Sequence, residues 1–203
     1  MCNAYRISPK KSSSGFAARV SEAAAGLASP LVRKSDPCVV LLEDTKVEVM
    51  RWGFIRPFNR AINNARSDHL ESEMWGDSFG ARRCVIPVSL FYEWGPGASG
   101  QKQAYQIDGG GDDFLWIAGL WEPSDEGHCA TMITTGAGPA MRGIHERMPA
   151  ILNPDALERW LDVENTWNFR PWDGPLRVNP CESPLKRKPK ADTGPKWEQT
   201  DLF

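Results

Sequence analysis

The chain is predicted to be an α+β protein. Bent antiparallel β-sheets form an open barrel-like core, and a few helices flank it in a single domain. Three observations lead there. Glycine and proline together make up 34 of 203 residues, above ordinary usage but short of a low-complexity composition, which marks a turn-rich fold. Short strand-like runs far outnumber helical ones, and hydrophobic residues at 41% suffice for one substantial core. The longest apolar run, Leu115-Trp116-Ile117-Ala118-Gly119-Leu120-Trp121, is much shorter than the ~18 residues of a membrane span. Residues 1–15 lack the apolar stretch of a signal peptide, so a soluble, cytoplasmic protein is expected.

In chain order, residues 3–7 read as a short strand. Ser12-Ser13-Ser14 would cap a helix over 15–28, with Phe16, Val20, Ala24 and Leu27 at helical spacing. Val39–Leu42 and Val47–Trp52 follow as strands, the first an apolar run and the second alternating. Asp68-x-x-Glu71 is a capping pattern, and Leu70, Met74 and Phe79 predict a helix over 68–79. From Arg83 the character is β: Cys84–Ile86, Leu90–Trp94, Ala104–Ile107, a turn at 109–112, Phe114–Leu120 and Ala130–Thr135. Asn153 as cap and Pro154 at the first helical position open a helix whose Leu157, Trp160 and Leu161 would pack on the sheet. Beyond Cys181 the chain turns polar, basic and proline-rich. The expected division is therefore a folded domain over 1–181 and a flexible tail over 182–203.

Charge is uneven. Residues 1–60 hold ten Lys/Arg against five Asp/Glu, although the whole chain carries a net −2. Basic residues gathered on one face would suit a polyanion, and the same counts fit an ordinary solvated surface. The five cysteines (Cys2, Cys38, Cys84, Cys129, Cys181) form no C-x-x-C or Cys/His cluster, which argues against zinc and against a disulfide framework. Cys38, Cys84 and Cys129 lie in apolar runs and read as small core hydrophobes.

Cys2 differs. Removing Met1 would leave a 1,2-aminothiol, with an amine of ordinary pKa ~7.7–8.0 and a thiol near ~8.5, both partly reactive at neutral pH. An aldehyde would give a Schiff base that the thiol closes to a thiazolidine. With an amide or ester the thiol would act as an acyl-transfer nucleophile. Three further segments carry candidate groups. Asn63-Asn64-Ala65-Arg66-Ser67-Asp68 sets an amide and a guanidinium before the predicted helix start, an anion-binding arrangement. Phe91-Tyr92-Glu93-Trp94 sets one carboxylate among three aromatics, where burial would raise its pKa for acid/base work. Ile144-His145-Glu146-Arg147-Met148-Pro149 places a histidine in a loop. Taken singly, Asn64 fits a turn residue, Glu93 a salt-bridge partner and His145 a satisfied loop histidine.

In order, Met1-Cys2, Trp52-Gly53-Phe54-Ile55, Asn64-Ala65-Arg66, Arg83-Cys84-Val85-Ile86-Pro87 with Phe91-Tyr92-Glu93-Trp94, and His145-Glu146-Arg147-Met148-Pro149 resemble the motifs of the SRAP family, the SOS-response-associated peptidase proteins that shield abasic sites in single-stranded DNA. The resemblance implies that Met1 is removed and that Cys2 crosslinks to the aldehyde of the ring-opened sugar. It further implies that Asn64 holds cysteine and sugar in register, Glu93 shuttles protons, and His145 stabilises or protonates the sugar oxygen. Arg66 and Arg147 would contact phosphates, and Trp52 and Trp94 would stack or wall the pocket. No metal or organic cofactor is implied. Asn3-Ala4 stand where the family usually has Gly-Arg, and Arg6, on the same strand face as position 4, would substitute. Asp68 replaces the usual Glu. The expected partner is single-stranded DNA with abasic sites, met by a monomer that is nucleoid-associated when bound, without any membrane.

Two other readings fit a processed N-terminal cysteine or a strand-binding surface. An N-terminal-nucleophile amidohydrolase or peptidase would need a glutamine-binding arginine motif and a Gly-Asn-Gly oxyanion hole, and neither is found. A non-catalytic single-strand-binding module would leave Cys2 incidental. At the other end, Gln199-Thr200-Asp201-Leu202-Phe203 resembles the Gln-x-x-Leu-Phe peptide that docks on the bacterial sliding clamp. Gln199, Leu202 and Phe203 would be its contacts.

Overall fold

The computed structural model describes residues 2–11, 15–98 and 100–185. The expected Ser12–Ser14 cap, the basic stretch 186–190 and the clamp-like Gln199, Leu202 and Phe203 lie outside the described residues. The chain opens with β1 (Ala4–Arg6), α1 (Gly15–Ala25), β2 (Leu31–Arg33), β3 (Pro37–Leu41), β4 (Val47–Trp52), β5 (Phe54–Arg56), β6 (Asn59–Ile62) and β7 (Asn64–Arg66). The middle of the chain supplies α2 (Gly76–Ala81), β8 (Arg83–Val88), β9 (Leu90–Pro96), β10 (Lys102–Asp108), β11 (Leu115–Ser124) and β12 (Gly127–Gly136). Last come β13 (Arg147–Pro149), β14 (Ile151–Leu152), α3 (Leu157–Leu161) and β15 (Arg177–Cys181).

Strands in the order β12, β4, β3, β8 and β11 form a ring, closed by the pairing of β11 with β12. The barrel is thus closed rather than open as expected. The long hairpin of two ten-residue strands gives β12 enough length to reach both β11 and β4, and closure leaves no edge within the ring for unwanted pairing. The β12–β4 and β12–β7 pairings are parallel, so the sheets are not purely antiparallel either. A second sheet runs β15-β10-β9-β1-β2. The core between the layers holds Tyr5, Trp52, Phe54, Phe91, Ile107 and Met132, all fully buried. Every residue of β8 is buried, which explains its unbroken apolar reading.

Helix α1 buries Val20 and Ala24, and α3 buries Leu157, Trp160 and Leu161, as the spacing predicts. Trp160 donates its indole N–H to the Cys84 carbonyl at 2.7 Å, satisfying the one polar atom this ring carries into the core. Asn153 stands extended before Pro154 but makes no side-chain cap bond. The helix expected over 68–79 is absent. Residues 67–75 form successive turns, and only Gly76–Ala81 is helical, without a side-chain cap. Asp68 is instead held by two arginines, which removes it from capping. Among the described residues, no helix is long and apolar enough to cross a membrane.

Candidate active site around Cys2

Cys2 precedes β1 and is fully buried. Its carbonyl accepts the side-chain amide N–H groups of Asn63 and Asn64, each at 2.9 Å. These two amides lie where β6 passes into β7, and β7 runs parallel to β12 with Asn64 opposite Met132 and Arg66 opposite Thr134. The Asn-Ala-Arg segment is therefore a strand, and the expected helix N-terminus is not what prepares it for anions. Alternation along the strand puts Asn64 and Arg66 on one face with Ala65 buried on the other. Asn64 Oδ1 is buried without a hydrogen-bond partner among the described residues, an acceptor facing the same region as Cys2.

Burial pushes the Cys2 thiol up to about 12, and the Glu93 carboxylate adds to the rise, while backbone bonds at Ala4 and Tyr92 oppose it. Glu93 is thus close enough to act on the sulfur electrostatically. It sits on β9, is 2% exposed, and accepts the Trp94 backbone N–H at 3.1 Å. Strand β1 pairs with β9 at Tyr5–Phe91 and Arg6–Leu90, which brings the chain start alongside the glutamate. Two residues beyond Glu93, Gly95 meets the 144–145 loop. A Cβ there would lie 2.7 Å from the Ile144 carbonyl oxygen and 2.9 Å from its Cα. Only glycine permits this approach, and it seats His145 beside β9. A Gly95→Ala variant should lose about 1–3 kcal/mol of stability through overpacking. Any chemistry depending on His145 should fall about 10–100-fold in the same variant, read by thermal unfolding and by the rate of adduct formation.

His145 accepts the Arg147 backbone N–H on Nδ1 at 3.0 Å. The Arg147 carbonyl also lies 3.2 Å from Nδ1, but an atom that receives an N–H cannot also carry a proton. These contacts fix the orientation of the imidazole through Nδ1. Arg147 is half-buried, with Nε 3.3 Å from Thr134 Oγ1 and Nη1 3.4 Å from Asp68. Arg66 is exposed and grips the same carboxylate at 2.6 and 3.1 Å, and this guanidinium holds Asp68 well below the usual carboxylate range. Both predicted phosphate contacts thus converge on one acidic side chain at the end of β12, leaving an excess of one positive charge. Arg6 donates its Nε to the Tyr92 hydroxyl at 2.9 Å.

Trp94 is partly exposed beside Glu93. Trp52 is not available for stacking. It is fully buried and packs edge-on against Tyr5 with centroids 5.0 Å apart, so it supports the site from beneath instead of walling it. Among the described residues the most exposed aromatic is Phe58, 74% accessible at the turn between β5 and β6 and flanked by Arg56 and Arg60. Its signal in the sequence is a lone Phe between Pro57 and Asn59, a turn that should hold polar residues.

Cys38 and Cys84 are fully buried as well, and burial raises both thiols. A thiol raised in the folded state favours folding while it stays protonated, and that stability is lost as pH climbs above the ordinary thiol value. The protein should therefore weaken steadily above about pH 9, by up to about 1.4 kcal/mol per pH unit for each buried thiol. Chemical denaturation between pH 7 and 11 checks this, and Cys38→Ala should flatten the alkaline slope. Among the described residues, no group of three or more His, Cys, Asp or Glu is placed to hold a metal.

The closed barrel brings Cys2 together with the Asn63 and Asn64 amides and the Glu93 carboxylate. The chain belongs to the SOS response associated peptidase (SRAP) family, whose model matches residues 1–180. It is 36% identical over 148 residues to the abasic site processing protein HMCES of Xenopus tropicalis, covering 56% of this chain and 44% of that protein. It is 33% identical over 129 residues to the abasic site processing protein YoqW of Bacillus subtilis, covering 58% of each. The matched stretch thus spans about half the length of these relatives. A crystal structure of a protein from Bacteroides thetaiotaomicron shares the fold, with a TM-score of 0.71, 21% identity and coverage of 88% of this chain and 91% of that one. Another, from Bordetella bronchiseptica, has a TM-score of 0.71 at 20% identity and covers 90% and 100%.

Proposed function

We propose that the protein, once Met1 is removed, crosslinks through Cys2 to abasic sites in single-stranded DNA and so protects the lesion. The observation that carries this reading is the fixing of Cys2 by Asn63 and Asn64 beside Glu93. The freed amine attacks the aldehyde of the opened sugar and water leaves, giving an imine. The thiol then adds to the imine carbon, and its proton passes to nitrogen, closing a thiazolidine. A thiol pushed up to about 12 is protonated at neutral pH, so the amine reacts first and the sulfur needs a base at the closing step. Glu93 serves as that base, taking the thiol proton and returning it. Asn64 holds the Cys2 carbonyl with Nδ2 and offers Oδ1 to a sugar hydroxyl. His145 stabilises or protonates the sugar oxygen during ring opening. Arg66 and Arg147, still joined to Asp68, hold phosphate with their excess positive charge, Arg6 stands in for the arginine missing at position 4, and Phe58 and Trp94 offer ring faces to bases.

The test is an incubation of the Met1-free protein with single-stranded DNA containing an abasic site, followed by denaturation. A covalent adduct is expected. An amidohydrolase would give none, and a simple binder would release its DNA. In this reading peptidase activity extends no further than exposure of the protein's own Cys2, and lyase cleavage is a side reaction of the imine. The protein works as a monomer in the cytoplasm, on the nucleoid when bound. The last residues extend the proposal: Gln199, Leu202 and Phe203 dock on the sliding clamp, with Leu and Phe contributing about 1.5–3 kcal/mol each on burial, and tethering raises the local concentration at replication forks. A pull-down with the bacterial clamp should retain the full chain and lose a variant lacking Leu202 and Phe203.

A further inference from the structure

A cavity of about 560 Å³ lies away from Cys2. It begins where β7 ends, between the turns after Arg66 and the segment 167–169. Phe79, Trp167 and Phe169 supply its apolar wall, and Asp68, Glu71 and Asn168 its polar one. The aromatic side is braced. Trp160 meets Trp167 and Phe169 edge-on at 5.5 and 5.3 Å, and the Arg83 guanidinium lies 4.7 Å over Phe79. Asp68, on the cavity lining, is held by Arg66 and Arg147. Three residues of extended chain, about 10 Å, separate Asn64 from Ser67 at the cavity edge.

We propose that this cavity receives the nucleobase of a nucleotide flanking the lesion, and that it prefers guanine. The inference rests on the reading that a single strand passes Cys2. Cations held on one lining carboxylate, with a second carboxylate in the lining, sort a nucleotide by parts. The phosphate stays at Arg66 and Arg147, and the base turns inward against the aromatic wall, as single-strand sites stack bases. Asp68 is occupied by the two arginines, whereas Glu71 forms no ion pair among the described residues and remains as an acceptor. The Watson–Crick edge of guanine offers two adjacent donors, N1–H and the N2 amino group, which match a carboxylate bidentately. Adenine and cytosine offer one amino group each, and thymine offers a single N3–H flanked by two carbonyls that repel the acid.

The test is equilibrium binding of the full chain to short single strands carrying a tetrahydrofuran abasic analogue, which has no aldehyde, with each of the four bases at the two positions on either side. Guanine should bind about 5-fold or more tightly than thymine at one of these positions. Glu71→Ala, an exposed change, should bring that ratio near one with an unaltered unfolding temperature. Trp167→Ala should weaken all four bases at that position together. Affinities within 2-fold for every base at every position would overturn the proposal, as would a guanine preference that survives Glu71→Ala. A parallel adduct assay with true abasic DNA separates the two readings: a base preference without an adduct removes only the crosslinking function, and an adduct without a preference removes only this inference.

Discussion

Replacing Cys2 by alanine should abolish the heat-stable adduct with abasic single-stranded DNA while leaving affinity for that DNA within a few-fold of wild type. The ring requires a nitrogen and a sulfur on adjacent carbons, and alanine keeps only the first. Cys2→Ser should behave differently again. Its amine still forms the imine, but a hydroxyl closes the ring poorly, so a labile species trapped by borohydride is expected in place of the stable one. Blocking removal of Met1 should be as damaging as Cys2→Ala, since the nitrogen is then an amide with no lone pair to give. The structure also predicts that fold is not the cause. Cys2 is one small side chain in a core dominated by Tyr5, Trp52 and Phe91, and its alanine variant should unfold within about 1–2 kcal/mol of wild type. Denaturing gels, borohydride trapping and thermal unfolding on the three proteins measure all of this.

The second large effect is expected at Glu93. A proton shuttle lowers the barrier for a step in both directions, so Glu93→Gln should slow formation and reversal of the adduct alike, each by about 10²–10⁴-fold. The equilibrium yield should change little. Glutamine keeps the size and one hydrogen-bonding oxygen for the Trp94 N–H, so the fold should hold. A purely structural Glu93 would show the opposite pattern, with loss of thermal stability and no parallel change of the two rates. Time courses of adduct formation, and of its transfer to competing abasic DNA, separate the cases.

Much of this architecture was legible in the residues, and the failures have physical reasons. The long apolar or alternating strands, β4, β8, β9, β11 and β12, stand out because burial of one or both faces fixes their pattern. Strands of two or three residues such as β7, β13 and β14 carry no period at all; they exist because β11 and β12 offer pairing partners. The mistaken helix over 68–79 shows how a capping pattern is overridden when its aspartate finds two guanidinium groups, one of them, Arg147, far along the chain. Trp52 misled in another way. The resemblance implied a ring that stacks on or walls the pocket, but Tyr5 and the barrel interior enclose it. The candidate residues Cys2, Asn64, Glu93 and His145 were found as motif members, and what the sequence could not display is how they meet: Asn64 on the Cys2 carbonyl, and the close approach at Gly95 that carries His145 to β9.

The most direct test of the Cys2 chemistry is the intact mass of the denatured product formed by the Met1-free protein and a single-stranded abasic oligonucleotide, combined with thiol alkylation and peptide mapping. The thiazolidine requires a species equal to protein plus DNA less one water, attached at the N-terminal peptide, with the Cys2 sulfur no longer open to alkylation. An adduct mapped to a lysine, or one at Cys2 that leaves its thiol free to alkylate, would contradict the account, as would the absence of any covalent product.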